Sequence, residues 1–243
     1  MRGGIARCFW RKKVKIAVIG NSHIASLKRG YETLSRRSAH ELVFFGGRGL
    51  ALKDMEVDDC CLVPTSNASR KSISFTSGGI DRINVNDFDA FLLYGLEAKA
   101  LIVPQSRFYS DAVIRRSAYD VVHEKLCYEI LLKLRSITEK PIFIGHNPLR
   151  GAHKKPGNSD TSSYERGIEY LNQIVYAHLN ALVIPQPKKT IVHGDSTDIL
   201  YAQGSKRLAI GDDNDDALHP TIDVTHMNDA FGALWLKSFF KKI

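Results

Sequence analysis

Cysteine is scarce in this chain. Cys8, Cys60, Cys61 and Cys127 are its full complement, and adjacent Cys60 and Cys61 lack the C-x-x-C spacing of a zinc knuckle, so all four read as buried or reduced thiols. Long apolar runs are missing as well. The N-terminal stretch MRGGIARCFWRKKVK is basic, without an uninterrupted apolar core or a cleavage-site pattern, and no later segment approaches the length of a membrane span. These absences set the expectation of a cytoplasmic protein with no membrane span. Acidic residues are the minority charge, 26 against 34 basic ones, for a net charge of +8. Such a balance favours an anionic partner. The basic pairs and triplets (Arg11–Lys13, Arg36–Arg37, Arg115–Arg116, Lys154–Lys155, Lys188–Lys189) are scattered and not interleaved with aromatics. Stacking on single-stranded bases needs that interleaving, so nucleic acid is not expected as a partner.

What is present is enough apolar material for one core: 44% of 243 residues. Short apolar runs at Val14 to Ile19, Glu41 to Phe45, Phe88 to Tyr94, Pro141 to Ile144 and Ala181 to Ile184 are candidate strands buried on both faces. Helical periodicity marks Ile24 to Ser35, Asp111 to Ile137, Ser163 to Leu179 and Asn228 to Phe240. Alternating strands and helices predict an α/β fold with a parallel sheet covered on both sides. Two long connections, Asp58 to Asn86 and Gly145 to Ser162, interrupt the rhythm, and the polar stretch from Pro185 to Thr221 is expected to be irregular. A basic extension (1–13) followed by one domain (14–243) is the expected organisation.

In an open parallel sheet, ligands bind beyond the carboxyl ends of the strands, where the first strand turns into the first helix. Ser22 of KIAVIGNSHIASLKRG occupies that turn. It reads equally as a helix cap and as a nucleophile. A nucleophilic serine needs a base held by an acid. DVTHMNDAFGALWLKSFF places an aspartate, Asp223, three residues before a histidine, His226, at the mouth of a terminal amphipathic helix. The acidic run Asp212 to Pro220 lacks EF-hand spacing and reads as a solvated loop. His193 and His219 lack partners at ligand spacing, so no metal is expected.

Together, GNSH after the first strand and DVTHMND before the last helix resemble the first and last sequence blocks of the SGNH hydrolase family, the GDSL esterases and lipases. The resemblance covers the two ends of the chain. It implies a flavodoxin-like three-layer α/β/α sandwich with a parallel central sheet and no cofactor. It further implies Ser22 as nucleophile, His226 as general base and Asp223 as its orienting acid. The N–H of Ser22 and that of Gly49, with Gly47 the second choice, would form the oxyanion hole.

The family pattern Gly-x-Asn after the third strand is broken here: Gly95 is in register, but Glu97 stands where the asparagine would donate. A carboxylate cannot donate to an oxyanion, so Glu97 is expected to point away or to mark an altered site. Asn147 is a candidate replacement donor, although His146 and Asn147 serve equally as turn formers. Arg48, Glu97, His146 and Lys154 are the candidate substrate-binding residues, the cations for an anionic ester. The resulting expectation is a serine esterase acting on an O-acetyl ester of a carbohydrate or similar polar substrate. Alternatives are an O-acyltransferase acting on a polysaccharide, and a catalytically inactive glycan- or anion-binding module.

Overall fold

The run KIAVIG has no polar residue after its first lysine, and every one of its residues from Ile16 to Gly20 is buried. A strand of this kind must be covered on both faces. In the computed structural model, which describes residues 13–34, 40–104, 109–155 and 160–243, it is. Along the chain run β1 (Lys15–Gly20), α1 (Ile24–Leu34), β2 (Glu41–Gly46), β3 (Met55–Asp58), β4 (Cys61–Pro64), α2 (Asn67–Ser77), β5 (Ile83–Asn84) and β6 (Ala90–Tyr94). They are followed by α3 (Asp111–Val122), α4 (Leu126–Ile137), β7 (Ile142–Gly145), β8 (Gly151–Ala152), α5 (Ser162–Tyr170), β9 (Ala181–Ile184), β10 (Ile191–Val192), β11 (Ser196–Asp198) and α6 (Asp229–Phe239).

Five strands form a wholly parallel sheet in the order β2-β1-β6-β7-β9, which is 2-1-3-4-5 when only these strands are counted. Alternation along each strand divides the core in two. Ile16 and Val18 of β1, with Leu92 and Tyr94 of β6, pack beneath α1 and α6 against Phe231, Trp235 and Phe239. Ala17, Ile19, Phe91 and Leu93 face the opposite way, toward Ile73, Ile130, Leu134 and Ile168 of α2, α4 and α5. The fold is therefore mixed α/β with six α-helices among the described residues, an arrangement compatible with three α/β/α layers.

Helices α1 and α6 meet at glycines: a Cβ on Gly232 would lie 1.9 Å from the Ser26 carbonyl oxygen, and one on Gly30 would lie 2.4 Å from the Ala233 nitrogen. Only hydrogen at these positions lets the two backbones approach so closely. The approach joins the helix that follows Ser22 to the helix that follows His226.

The structure corrects the sequence-based expectations in several places. Asp58 to Asn86 is not a loop, because β3, β4 and β5 form an antiparallel sheet there and α2 connects β4 to β5. Its polar helix NASRKSISFTS buries only Ser69, Ser72, Ile73 and Thr76, and serines hid the periodicity. The helical stretch from Asp111 to Ile137 is two helices, interrupted where Glu124 adopts a left-handed φ of 60°. The long helix after Ser162 leaves α-geometry at Leu171 and continues as π- and 3-10 turns to Leu179. Cys127 is buried, and Cys60 and Cys61 are half-buried free thiols; Cys8 and residues 1–12 of the expected extension lie outside the described residues. None of the described helices is long and apolar enough to cross a membrane.

Candidate active site

Register places the site. Gly20 pairs with Gly46 on one side and Tyr94 on the other, and Tyr94 pairs with Gly145. The residues that follow each strand, Asn21–Ser22, Gly47–Gly49, Gly95–Glu97 and His146–Asn147, therefore leave the same carboxyl edge of the sheet side by side. At that edge the Ser22 carbonyl accepts from Ala25 N–H at 3.2 Å to start α1. Its hydroxyl does not cap the helix, but lies 2.9 Å from His226 Nε2.

His226 Nδ1 is in turn 2.7 Å from Asp223 Oδ2. The other carboxylate oxygen, Oδ1, accepts from Thr225 N–H at 2.7 Å, the Thr225 hydroxyl at 2.7 Å and His226 N–H at 3.1 Å. Burial alone would raise the Asp223 pKa, yet these four hydrogen bonds outweigh it and hold the carboxyl well below the usual range. Asp223 is thus a fixed anion, and it sets His226 as the Nδ1–H tautomer with its Nε2 lone pair toward Ser22.

The turn carrying Asp223 and His226 is anchored from both ends. Asn228 caps α6 by accepting from Phe231 N–H at 3.1 Å, and its amide donates to the Leu200 and Gln203 carbonyls at 2.9 and 3.0 Å. The acidic run before it is the exposed loop that the sequence suggested, and two arginines latch it. Arg48 grips both Asp212 oxygens, Asp215 and the Leu208 carbonyl, while Arg29 reaches Asp216, Asp229 and the Lys206 and Arg207 carbonyls. Forked guanidinium geometry suits such multiple contacts.

Two further histidines, neither assigned a role from the sequence, sandwich His226. The His219 ring stacks on it at 3.9 Å with 8° between planes, and His23 lies on the other side at 4.9 Å and 26°. His219 Nδ1 also approaches Asp223 Oδ2 at 3.3 Å. Burial, then the neighbouring His226, lowers the pKa of His219 to about 4 and of His23 to about 3. Both rings are neutral near pH 7, so a positive charge forming on His226 meets the Asp223 anion and no competing cation in the stack. A regular spacing could not have found His219, because its place depends on how residues 199 to 226 fold over α1.

His219, Asp223 and His226 also offer donor atoms within 4.8 Å of one another, the one group among the described residues with such a set. Metals bind imidazole in the ring plane, and two rings stacked face to face direct their lone pairs side by side instead of toward one point. The arrangement suits proton transfer better than coordination.

The remaining predicted residues fare differently. Gly49 is on the exposed turn after β2 with φ 59° and open space where a Cβ would stand. Gly47 is excluded from the oxyanion role because its N–H donates to the Gly20 carbonyl at 3.3 Å. Among the described residues, neither the Ser22 N–H nor the Gly49 N–H has a backbone partner. Of the expected substrate-binding residues, Arg48 has its guanidinium engaged by the latch. His146 is buried between Tyr164 OH, 2.8 Å from Nε2, and the Asn147 carbonyl, 2.5 Å from Nδ1, so both of its ring nitrogens have partners within the protein. Burial lowers its pKa to about 4.

Glu97 turns away from Ser22. With φ 62° it directs Oε2 to accept from Leu126 N–H at 3.4 Å, at the start of α4. A carboxylate there meets the positive end of the helix. Gly95 before it has φ 76°, and a Cβ would collide with Asn21 Oδ1 at 2.3 Å, so this turn packs directly behind the serine. Asn147 is half-buried and lines a cleft of 430 Å³ beside the triad, together with His23, Lys99, Pro148, Arg150 and Thr225. Lys154 is exposed and is not part of that lining.

The sequence matches no protein-family model, and no curated protein matches it.

Proposed function

We propose that the protein is a serine hydrolase acting on an ester, built as a flavodoxin-like variant of the SGNH type. One observation carries this reading: the unbroken chain Ser22 Oγ, His226 Nε2, His226 Nδ1, Asp223 Oδ2, with steps of 2.9 and 2.7 Å. Ser22 and His226 are 204 residues apart in sequence, so local chain geometry does not account for their contact. The strand order 2-1-3-4-5 and the position of Ser22 at the carboxyl edge support the same reading.

In the mechanism, His226 Nε2 takes the Ser22 proton as Oγ attacks the ester carbonyl. Asp223 stabilises the imidazolium, and the N–H groups of Ser22 and Gly49 receive the oxyanion. Collapse of the tetrahedral intermediate moves the proton from Nε2 to the leaving alcohol. His226 then activates water, which releases the acid and restores Ser22. Glu97 takes no part, because its carboxylate serves α4; this weakens the reading of a dismantled binding module. Polar and charged side chains in the cleft lining, Lys99, Asn147, Arg150 and Ser196 among them, support a polar ester, with an O-acetylated carbohydrate as the substrate class.

The test is turnover of p-nitrophenyl acetate and fluorophosphonate labelling by the wild-type protein beside Ser22→Ala. Saturable turnover and labelling that vanish together in the variant are expected. Equal, negligible signals in both proteins would sink the hydrolase reading.

A further inference from the structure

The cleft beside the triad is held in place by the catalytic turn itself. Gly151 N–H donates to the Val224 carbonyl at 2.6 Å, and Thr197 N–H donates to the Arg150 carbonyl at 2.9 Å. Arg150 is therefore fixed one residue away from a strut to the segment between Asp223 and His226. Across the cleft, Asn147 N–H donates to the Ala98 carbonyl at 2.7 Å, which fixes the backbone beside Lys99. Both cationic side chains line the cleft, are exposed, and have no ion pair among the described residues. The nearby arginines are spent differently: Arg29 and Arg48 are locked into carboxylates and carbonyls. The only acid in the lining, Asp195, accepts from the Ser196 hydroxyl at 2.9 Å.

The side of the triad is also defined. His226 delivers a proton to the leaving alcohol, and the cleft is lined by Thr225, its immediate neighbour, and by His23, which stacks on its ring. On the hydrolase reading, the alcohol portion of the ester is assigned to this adjacent cleft.

We propose that Lys99 and Arg150 form a subsite for a carboxylate on the alcohol portion of the ester, so that the substrate class is an O-acylated acidic saccharide. This rests on the hydrolase reading for its chemistry, but not for the binding of the anion. The subsite differs from the one the sequence suggested, because Arg48 and Lys154 do not line the cleft.

The experiment compares 4-acetoxybenzoate with its methyl ester, a pair that differs in the charge of the alcohol portion. Values of kcat/KM are each normalised to the uncatalysed rate. An advantage of about tenfold for the anion is expected, the size of a partly screened attraction to two cations. Lys99→Glu/Arg150→Glu should remove that advantage, whereas Lys237→Glu on α6 should keep it. An anion-to-ester ratio at or below unity in the wild type, or one untouched by the double reversal, overturns the subsite while leaving the hydrolase intact. If neither ester turns over and Ser22 is not labelled, the hydrolase reading fails instead. Calorimetric binding of 4-acetoxybenzoate to Ser22→Ala then decides the subsite by itself. Binding lost on adding the double reversal supports it, and binding that is absent or unaffected overturns it.

Discussion

Asp223→Asn isolates what the acid of the triad does, because the surroundings decide which way the new amide must point. Oδ1 receives three donors, from Thr225 N–H, the Thr225 hydroxyl and His226 N–H, whereas Oδ2 faces the rings of His226 and His219. Turning the amide nitrogen toward the three donors would forfeit those bonds, at about 1 kcal/mol each before any repulsion is counted. The amide oxygen therefore keeps the Oδ1 position, and the NH2 group faces His226 Nδ1. Two donors cannot share that contact, so His226 moves its proton to Nε2 and presents N–H to Ser22 where a lone pair is needed. A wrong-tautomer base lowers turnover by about ten-thousand-fold, or about 5 kcal/mol in the barrier. The assay is p-nitrophenyl acetate hydrolysis; its leaving group needs no proton, so the loss reports His226 acting as a base. Thermal unfolding checks that the turn survives the substitution. A loss smaller than about tenfold in a folded variant would refute the claim that Asp223 sets the tautomer.

Two other outcomes are expected from the geometry. Glu97→Gln removes the charge that faces the start of α4 while keeping the side chain's length. Stability should fall by about 0.5 kcal/mol, measured by urea unfolding, and the difference should shrink in about 1 M salt, with turnover nearly unchanged. His146 is kept neutral by burial, with its pKa lowered from 6.5 to about 4, so the unfolded chain binds a proton that the folded chain refuses. Its contribution is present above pH 6.5 and is lost as pH falls toward 4, by about 3 kcal/mol. His23 and His219 act in the same direction, so the diagnostic is a shallower acid slope in His146→Gln than in the wild type.

Much was legible in the sequence because its cause is local. Short apolar runs suit strands of a covered sheet, and the five that were read as such are the five of the parallel sheet. Ser22 and the Asp223–His226 pair were visible for the same reason: each belongs to a short segment at an element boundary, where polar side chains with reactive atoms are conspicuous. The hairpin and helix between Asp58 and Asn86 were not legible, since a helix whose buried face is largely serine and threonine has no apolar period to read. Composition and pattern thus determined the sheet, its burial and the residue types of the candidate triad. Only the tertiary structure decided the rest. Close approach of α1 and α6 at Gly30 and Gly232 brings the two ends of the chain together. Arg48 and Arg29 latch the exposed acidic loop, and His219 at its end stacks on His226. Whether a given arginine latches a loop, a histidine is buried, or a glutamate serves a helix depends on what surrounds each charge. Neighbours distant in sequence supply those surroundings, because the cost of burying a polar group is met only where a partner lies within hydrogen-bond reach.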